Sequence, residues 1–398
     1  MKRLYESILH EHYKKHNEAI FLSGPRQVGK TTIATQIKSE FPISTYLNWD
    51  DVLDREKILA HKIDILNNTY ATKPLVIFDE IHKFKDWKNY LKGIFDKHKN
   101  DCAFLVTGSS RLNIYRKGGD SMMGRYFLYR VHPLSVAELL TQSYRQAEFI
   151  APISIDDVLF QDLFRFGGFP KPLLVADQRT YNRWKNQRME RFFEEDIRDA
   201  LKVSEIQKLQ TLSYILQSMA GQQINFTSLS KLIQVSDQTV RAWLAQLEAF
   251  YYCFTIRPWS VNVIRSLIKD PKVYMWDWSL VADKGQKHEN FIASHLLKAV
   301  HFWTDDGFGQ FELHYLRDKD KKEVDFLVTK DQAPWMMVEV KSSVREPLSK
   351  SLHHFQKQLN VPYVFQVVMD GDFTETDCFD TPFVPRIVSA KTFLAQLV

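Results

Sequence analysis

Residues 19–31, AIFLSGPRQVGKT, constrain the fold more than any other stretch of the chain. An apolar run enters a glycine-bearing loop that ends in Lys-Thr and opens a helical stretch, TTIATQIKSEF. The spacing GxxxxGK[ST] functions only where a strand delivers the loop and a helix leaves it. The N–H groups of the loop and of the helix N-terminus must converge on an anion. That requirement implies a βα unit and a parallel α/β sheet. Gly24, Pro25, Arg26, Gln27, Val28, Gly29, Lys30, Thr31 and Thr32 are then expected to line a polyphosphate site. Gly24 and Gly29 allow the tight backbone path, Lys30 reaches the β and γ phosphates, and Thr31 ligates Mg2+.

The rest of the first 150 residues fits the same sheet. Short apolar runs at 19–23, 45–49, 75–79, 103–108 and 125–131 alternate with helical stretches. The run LVIFD carries Asp79 to the C-terminal end of its strand, where open α/β sheets place ligands. Asp79 is positioned to hold Mg2+ through water, and Glu80 to orient and deprotonate an attacking water. The strand AFLVTGSS ends in hydroxyls. Thr107, Ser109 or Ser110 is expected to meet the γ-phosphate or the water, with Ser109 preferred; a helix N-cap is the other reading of the same residues.

At 398 residues, with 44% hydrophobic and 25% charged side chains, the chain has material for several ordered cores. The net charge of +5 permits nucleic-acid binding without requiring it. Cys102, Cys253 and Cys378 are too scattered for a zinc site or a disulfide framework, so a reducing cytoplasm is expected. The N-terminal stretch MKRLYESILHEHYKK reads as an amphipathic polar helix, with His12 and His16 on its surface. No apolar run approaches the ~20 residues of a membrane span, and no membrane partner is expected.

Changes of pattern divide the remainder. Residues 151–204 read as helical, broken by FGGFP at 166–170, with 189–202 as a solvated helix carrying spaced ion pairs. Residues 205–265 have the cadence of a winged helix-turn-helix. The second helix, QTVRAWLAQLEAF, is capped by Ser236, and YYCFTIRPW forms the wing. Gln238, Thr239 and Arg241 would then face a groove of DNA, although this helix has a single arginine and no lysine. A structural connector with Leu229, Leu232, Val240, Trp243, Leu244 and Leu247 as core explains the same residues.

In residues 266–398 a helix bearing Glu289 precedes EVDFLV and WMMVEVKSS, and LSKSLHHFQKQL follows as a further helix. If the two strands are hairpin neighbours, Asp325, Glu339 and Lys341 converge. Helix, strand with Asp, strand with Glu-x-Lys, helix resembles the PD-(D/E)xK nuclease fold, except that no proline precedes Asp325. In that reading Asp325 and Glu339, with Glu289 completing the shell, hold Mg2+ or Mn2+, and Lys341 orients the water. A Glu339–Lys341 ion pair kept in an inactive scaffold is the other reading. The basic segment 315–324 either tracks a DNA backbone or is a solvated hairpin turn.

GPRQVGKTT, YLNWDD, LVIFDEIHKFKDW, FLVTGSS, MMGRYFLYRVHPLSVAEL and FGGFP, in this order and followed by EVDF and VEVKSS, resemble a prokaryotic AAA-type ATPase family. Its members join this domain to a C-terminal region catalogued as a domain of unknown function. The resemblance implies ATP binding and hydrolysis, and a possible homo-oligomer. It also points to Arg125, in MGRYF, as an arginine that offsets γ-phosphate charge, in some arrangements across a subunit interface. The implied domains are an AAA-type P-loop core (1–150), a helical lid (151–204), a winged helix (205–265) and a nuclease-like α/β domain (266–398). The function this suggests is ATP hydrolysis coupled to gripping or cutting DNA. The alternative is an ATP-operated switch whose C-terminal domain binds a partner without cleaving it.

Overall fold

The computed structural model describes residues 1–67, 70–108, 122–198, 205–260 and 270–398. It divides into two compact units: Met1–His132 with Thr141–Tyr144, and Pro133–Leu140 with Arg145–Val398. The first unit takes in nearly all of the α/β stretch, and Thr141–Tyr144 returns to it after Pro133–Leu140.

The first unit alternates α1 (Leu4–Lys15), β1 (Ala19–Ser23), α2 (Lys30–Glu40), β2 (Ser44–Asn48), α3 (Val52–Leu59), β3 (Leu75–Asp79), α4 (Trp87–His98), β4 (Ala103–Gly108) and β5 (Tyr126–Arg130). Its five strands form one parallel sheet in the order β2-β3-β4-β1-β5. The runs at β1, β3 and β4 are buried along their whole length, as a sheet covered on both faces demands. Phe21, Phe78, Phe104 and Val106 pack with Trp87, Leu91 and Phe95 of α4 on one face, while α2 packs against β2, β3 and β4. His12, expected at the surface, is buried, and its Nε2 lies 3.0 Å from the Glu18 carbonyl. The α1 stripe turns inward at Leu4, Ile8 and Leu9 and takes His12 with it.

The second unit begins with helices α5 (Val136–Leu140), α6 (Asp157–Phe166), α7 (Pro170–Val175) and α8 (Gln178–Arg191), followed by a π-helical turn over Phe192–Ile197. Gly167 ends α6 at φ 83°, and a Cβ there would meet Asp277 Oδ1 at 2.7 Å, so FGGFP breaks the helix as its composition predicts. Within 189–202, Arg198 pairs with Glu194 at 2.6 Å, while Phe192, Phe193 and Ile197 are buried.

Next come α9 (Ile206–Ser218), α10 (Phe226–Ile233), α11 (Asp237–Ala249) and the antiparallel pair β6 (Cys253–Pro258) and β7 (Lys272–Met275). Ser236 caps α11 by accepting from the Thr239 N–H, as expected. Leu229, Val240, Trp243, Leu244 and Leu247 are core, but Leu232 is 67% exposed. The buried stripe of α10 runs Phe226, Leu229, Ser230, Ile233, and Leu232 falls off it.

The chain closes with α12 (Lys284–Asp305), β8 (Phe311–Arg317), β9 (Glu323–Lys330), β10 (Ala333–Lys341), α13 (Lys350–Leu359), β11 (Tyr363–Val368), β12 (Arg386–Ser389) and α14 (Ala390–Ala395). The sheet order is β12-β11-β10-β9-β8-β6-β7. β9 and β10 are antiparallel neighbours, as anticipated. Strict alternation along β9 fails, however. Leu316 pairs with Val324 while His314 pairs with Leu327, so Asp325 and Phe326 together oppose Tyr315 in a bulge. Val324 thereby joins Leu327 and Met337 beneath Leu352 and Phe355 of α13, and does not share a face with Phe326.

Candidate functional site: a phosphate loop and a carboxylate–lysine cluster

The parallel register brings the C-terminal ends of β1, β3 and β4 level: Ser23 lies opposite Gly108, and Asp79 opposite Thr107. The phosphate loop leaves from this edge. A Cβ on Gly24 would fall 2.3 Å from the Val131 carbonyl oxygen, so only glycine fits there. Gly29, at φ 104°, is the left-handed residue from which α2 starts. Lys30 is 6% exposed, and its Nζ donates to the Gly24 and Pro25 carbonyls, each at 2.8 Å, which keeps the ammonium inside the loop.

Asp79 is the hub. Its carboxylate accepts from Thr31 Oγ1 at 3.0 Å, and also from the Tyr46 and Thr107 hydroxyls. Thr31 and Asp79 thus face one point, the oxygen pair expected to meet Mg2+ beside nucleotide phosphates. The loop geometry and this donor set fit MgATP. Glu80 sits at φ 55°, and its N–H donates to the Thr107 carbonyl at 3.1 Å. Burial pushes its pKa up, and the charges of Lys30 and Lys83 pull it back. The Lys83 ammonium lies 3.6 Å from its carboxylate.

Arg3 carries no motif signal and was not anticipated. From a side chain 2% exposed, its Nη1 donates to the Val28 carbonyl at 2.5 Å and its Nη2 to the His132 carbonyl at 2.7 Å. It fastens the phosphate loop to the chain leaving β5. Arg125 is positioned otherwise. It precedes Tyr126, which pairs with Ala19 at the start of β1, so it stands at the sheet edge opposite the loop, about 16 Å away at ~3.3 Å per residue. Its guanidinium makes a two-pronged pair with Asp96, at 2.7 and 3.0 Å. It does not approach the phosphate loop of its own chain. Ser109 and Ser110 lie outside the described residues.

In the second unit Asp325, in the bulge, meets the middle of the β10 Glu-x-Lys segment. Asp325 Oδ2 accepts from the Val340 N–H at 2.8 Å, and Lys341 Nζ donates to Glu339 Oε1 at 2.9 Å. Glu339 Oε2 is buried without a hydrogen-bond partner. Asp283 caps α12, and Glu289 lies in the second turn of that helix. The residue that sequence reasoning missed is Lys272 on β7. Its Nζ lies 2.7 Å from Glu323 Oε1, 3.2 Å from Glu289 Oε1 and 3.9 Å from Asp325 Oδ1. The expected oxygen shell of Glu289, Asp325 and Glu339 around Mg2+ or Mn2+ is therefore not the arrangement found, because an ammonium stands among these carboxylates. Among the described residues, no three His, Cys, Asp or Glu side chains are placed to hold a metal ion. Burial and the Asp325 charge raise Glu289 and Glu339 to about 7. No helix among the described residues is long and apolar enough to cross a membrane.

Family comparisons match three successive stretches of the chain. Residues 16–140 match an AAA domain, 158–286 a domain of unknown function (DUF8612) and 284–378 another (DUF4143). An uncharacterized protein of Methanocaldococcus jannaschii is 25% identical over 341 residues, which is 78% of this chain and 72% of that one. An uncharacterized protein of Mycobacterium tuberculosis is 20% identical over 348 residues, 84% of this chain and 72% of that one. Among solved structures, the Aeropyrum pernix Orc1 protein in complex with DNA is 12% identical and covers 74% of this chain and 91% of its own, with a TM-score of 0.34. Thermotoga maritima RuvB is 16% identical over 63% and 86% of the two chains, with a TM-score of 0.31. Likeness of that size carries no argument about function. With the phosphate loop, the Asp79 hub and the matched profile in the same residues, this chain carries an AAA-type P-loop ATPase domain.

Proposed function

We propose that the chain binds MgATP at Gly24–Thr32, hydrolyses it with Glu80 as the base, and couples the nucleotide state to a nuclease-like C-terminal domain that grips DNA. The observation that carries the ATP reading is the Asp79 carboxylate, held by the Thr31, Tyr46 and Thr107 hydroxyls beside a loop that encloses Lys30. Thr31 and Asp79 would hold the ion, which supplies charge compensation on the phosphates. Burial raises the pKa of Glu80, which makes it a stronger base than an ordinary carboxylate. Lys30→Ala should abolish tight nucleotide binding, while Glu80→Gln should bind ATP and stall. Unchanged turnover in both variants would remove the assignment.

Arg125 is read as acting on the nucleotide of a neighbouring copy in a homo-oligomer, since it lies at the far edge of its own sheet. Arg125→Ala mixed with Lys30→Ala should then recover ATPase activity that neither has alone. Solution mass with and without ATP tests the assembly.

Two features support the DNA reading. The order α12, β8, β9 with Asp325, β10 with Glu339 and Lys341, α13, β11 is the one the nuclease-like reading expects. Helices α9–α11 followed by the β6–β7 pair support a winged helix. Arg241 lies 3.7 Å over the Phe226 ring, so it is partly engaged within its own domain. Incubation of the full chain with plasmid and linear DNA, Mg2+ or Mn2+, with and without ATP, should retard DNA without nicking it. Cleavage that Lys341→Ala abolishes would overturn the gripping mode in favour of cutting.

A further inference from the structure

The carboxylates of the second unit raise a question the nuclease-like fold alone leaves open: which cation balances them. Glu289, Glu323, Asp325 and Glu339 meet within one cluster, and β7 delivers Lys272, 4% exposed, into it. Most of the oxygens that a metal would need are already engaged, and Glu339 Oε2 is the exception. Glu289 Oε1 takes Lys272 and also the Tyr274 hydroxyl at 2.7 Å. Asp325 Oδ2 takes the Val340 N–H, and Oδ1 faces Lys272 at 3.9 Å. Glu323 Oε2 takes Arg317 at 3.1 Å, and Glu339 Oε1 takes Lys341.

The backbone around Lys272 is fixed from several sides. The 221–224 segment bonds to it: the Gly221 N–H donates to the Val273 carbonyl, and the Ile224 N–H to Pro271. Gly221 lies so close to Glu289 that a Cβ would meet Glu289 Oε2 at 3.0 Å. Gln223 donates to the Tyr315 hydroxyl and accepts from Arg317. On the other side, the Asn290 side chain accepts from the Met275 N–H and donates to its carbonyl. Lys272 is thus a built part of the sheet. Mg2+ or Mn2+ demands a near-octahedral oxygen shell that retains several waters. Beside this ammonium such an ion would meet like charge and find its ligands taken.

We propose that Lys272 is the resident cation of this cluster, so that the C-terminal domain keeps its Asp325–Glu339–Lys341 frame without a divalent metal and engages nucleic acid without metal-dependent cleavage. This rests on the nuclease-like reading of the fold. Glu339 Oε2 is the one cluster oxygen buried without a partner, and it marks where a metal would enter if Lys272 were gone.

The test is Mn2+ binding, read by the electron paramagnetic resonance of the free ion, on the nucleotide-free full chain carrying Asp79→Asn to silence the phosphate-loop site. The expected result is no bound Mn2+. Adding Lys272→Met should create about one Mn2+ site per chain, lost again on Asp325→Asn. Thermal unfolding checks that the variant folds, and Lys272→Arg, which keeps a cation, should bind none. Mn2+ bound with Lys272 intact and lost on Asp325→Asn would overturn the proposal, as would a folded Lys272→Met chain that takes no Mn2+. DNA retardation by the full chain is scored separately: its absence removes the nuclease-like DNA reading, whatever the Mn2+ result.

Discussion

At Arg3 one guanidinium spans two backbone carbonyls, Val28 in the phosphate loop and His132 beyond β5. A buried carbonyl that loses its donor costs about 1–3 kcal/mol, so Arg3→Ala is expected to destabilise the first unit by roughly 2–4 kcal/mol. Arg3→Lys should fall between, because a single ammonium lacks the fork that reaches both acceptors. Denaturant titration measures the loss. Nucleotide affinity should weaken while turnover at saturation holds, since Arg3 shapes the loop and touches no reacting atom. At Glu80, a pKa raised by burial places the acid limb of the ATPase profile above that of an ordinary carboxylate. The Lys83 charge opposes that rise. Lys83→Met should therefore move the limb to still higher pH, and a shift downward would contradict the role given to Glu80.

Helix α11 shows what capping contributes at the scale of an element. The Ser236 hydroxyl accepts from the Thr239 N–H, and Ser236→Ala should cost the second unit about 1 kcal/mol in urea unfolding. This cap was legible in the sequence, and so were β1, β3 and β4, whose limits match their apolar runs. Buried parallel strands are unbroken hydrophobic stretches with polar ends, so pattern and structure coincide there. The Asp325–Phe326 bulge was not legible. It arises from a register shift against β8, and register belongs to the pairing of two strands, not to one of them. Lys272 and Arg3 were missed for a related reason. Lys272 is 53 residues before Asp325 in the chain, and a lone basic residue beside an apolar run has no spacing to announce its partners. Leu232 erred the other way, because an apolar identity was read without its position on the helical stripe.

Across the second unit the cluster charges predict a pH dependence of stability. Glu289 and Glu339 titrate near 7 in the folded chain, through burial first and the Asp325 charge second, against about 4.3 in an unfolded chain. Between those values the folded state binds more protons than the unfolded state. Stability contributed by these groups is therefore greatest below about 4.3 and declines as pH rises through 7. Lys272 adds nothing to this slope, since its neighbours raise its pKa and it stays charged throughout. Buried histidines act in the opposite sense: His288 and His295 have depressed pKa values, so acid favours their unfolded, protonated forms. The raw stability curve mixes both signs, and the informative quantity is the difference between the wild type and Glu339→Gln. Glutamine keeps an oxygen for Lys341 and removes the titration. The variant should gain on the wild type by roughly 1–2 kcal/mol between pH 5 and pH 8, after allowance for the partial exposure of Lys341. Urea unfolding at intervals across that range measures it. A difference that stays flat with pH would mean Glu339 is ionised at ordinary acidity, and that the cluster holds its charge by solvent access instead of by Lys272 and Lys341.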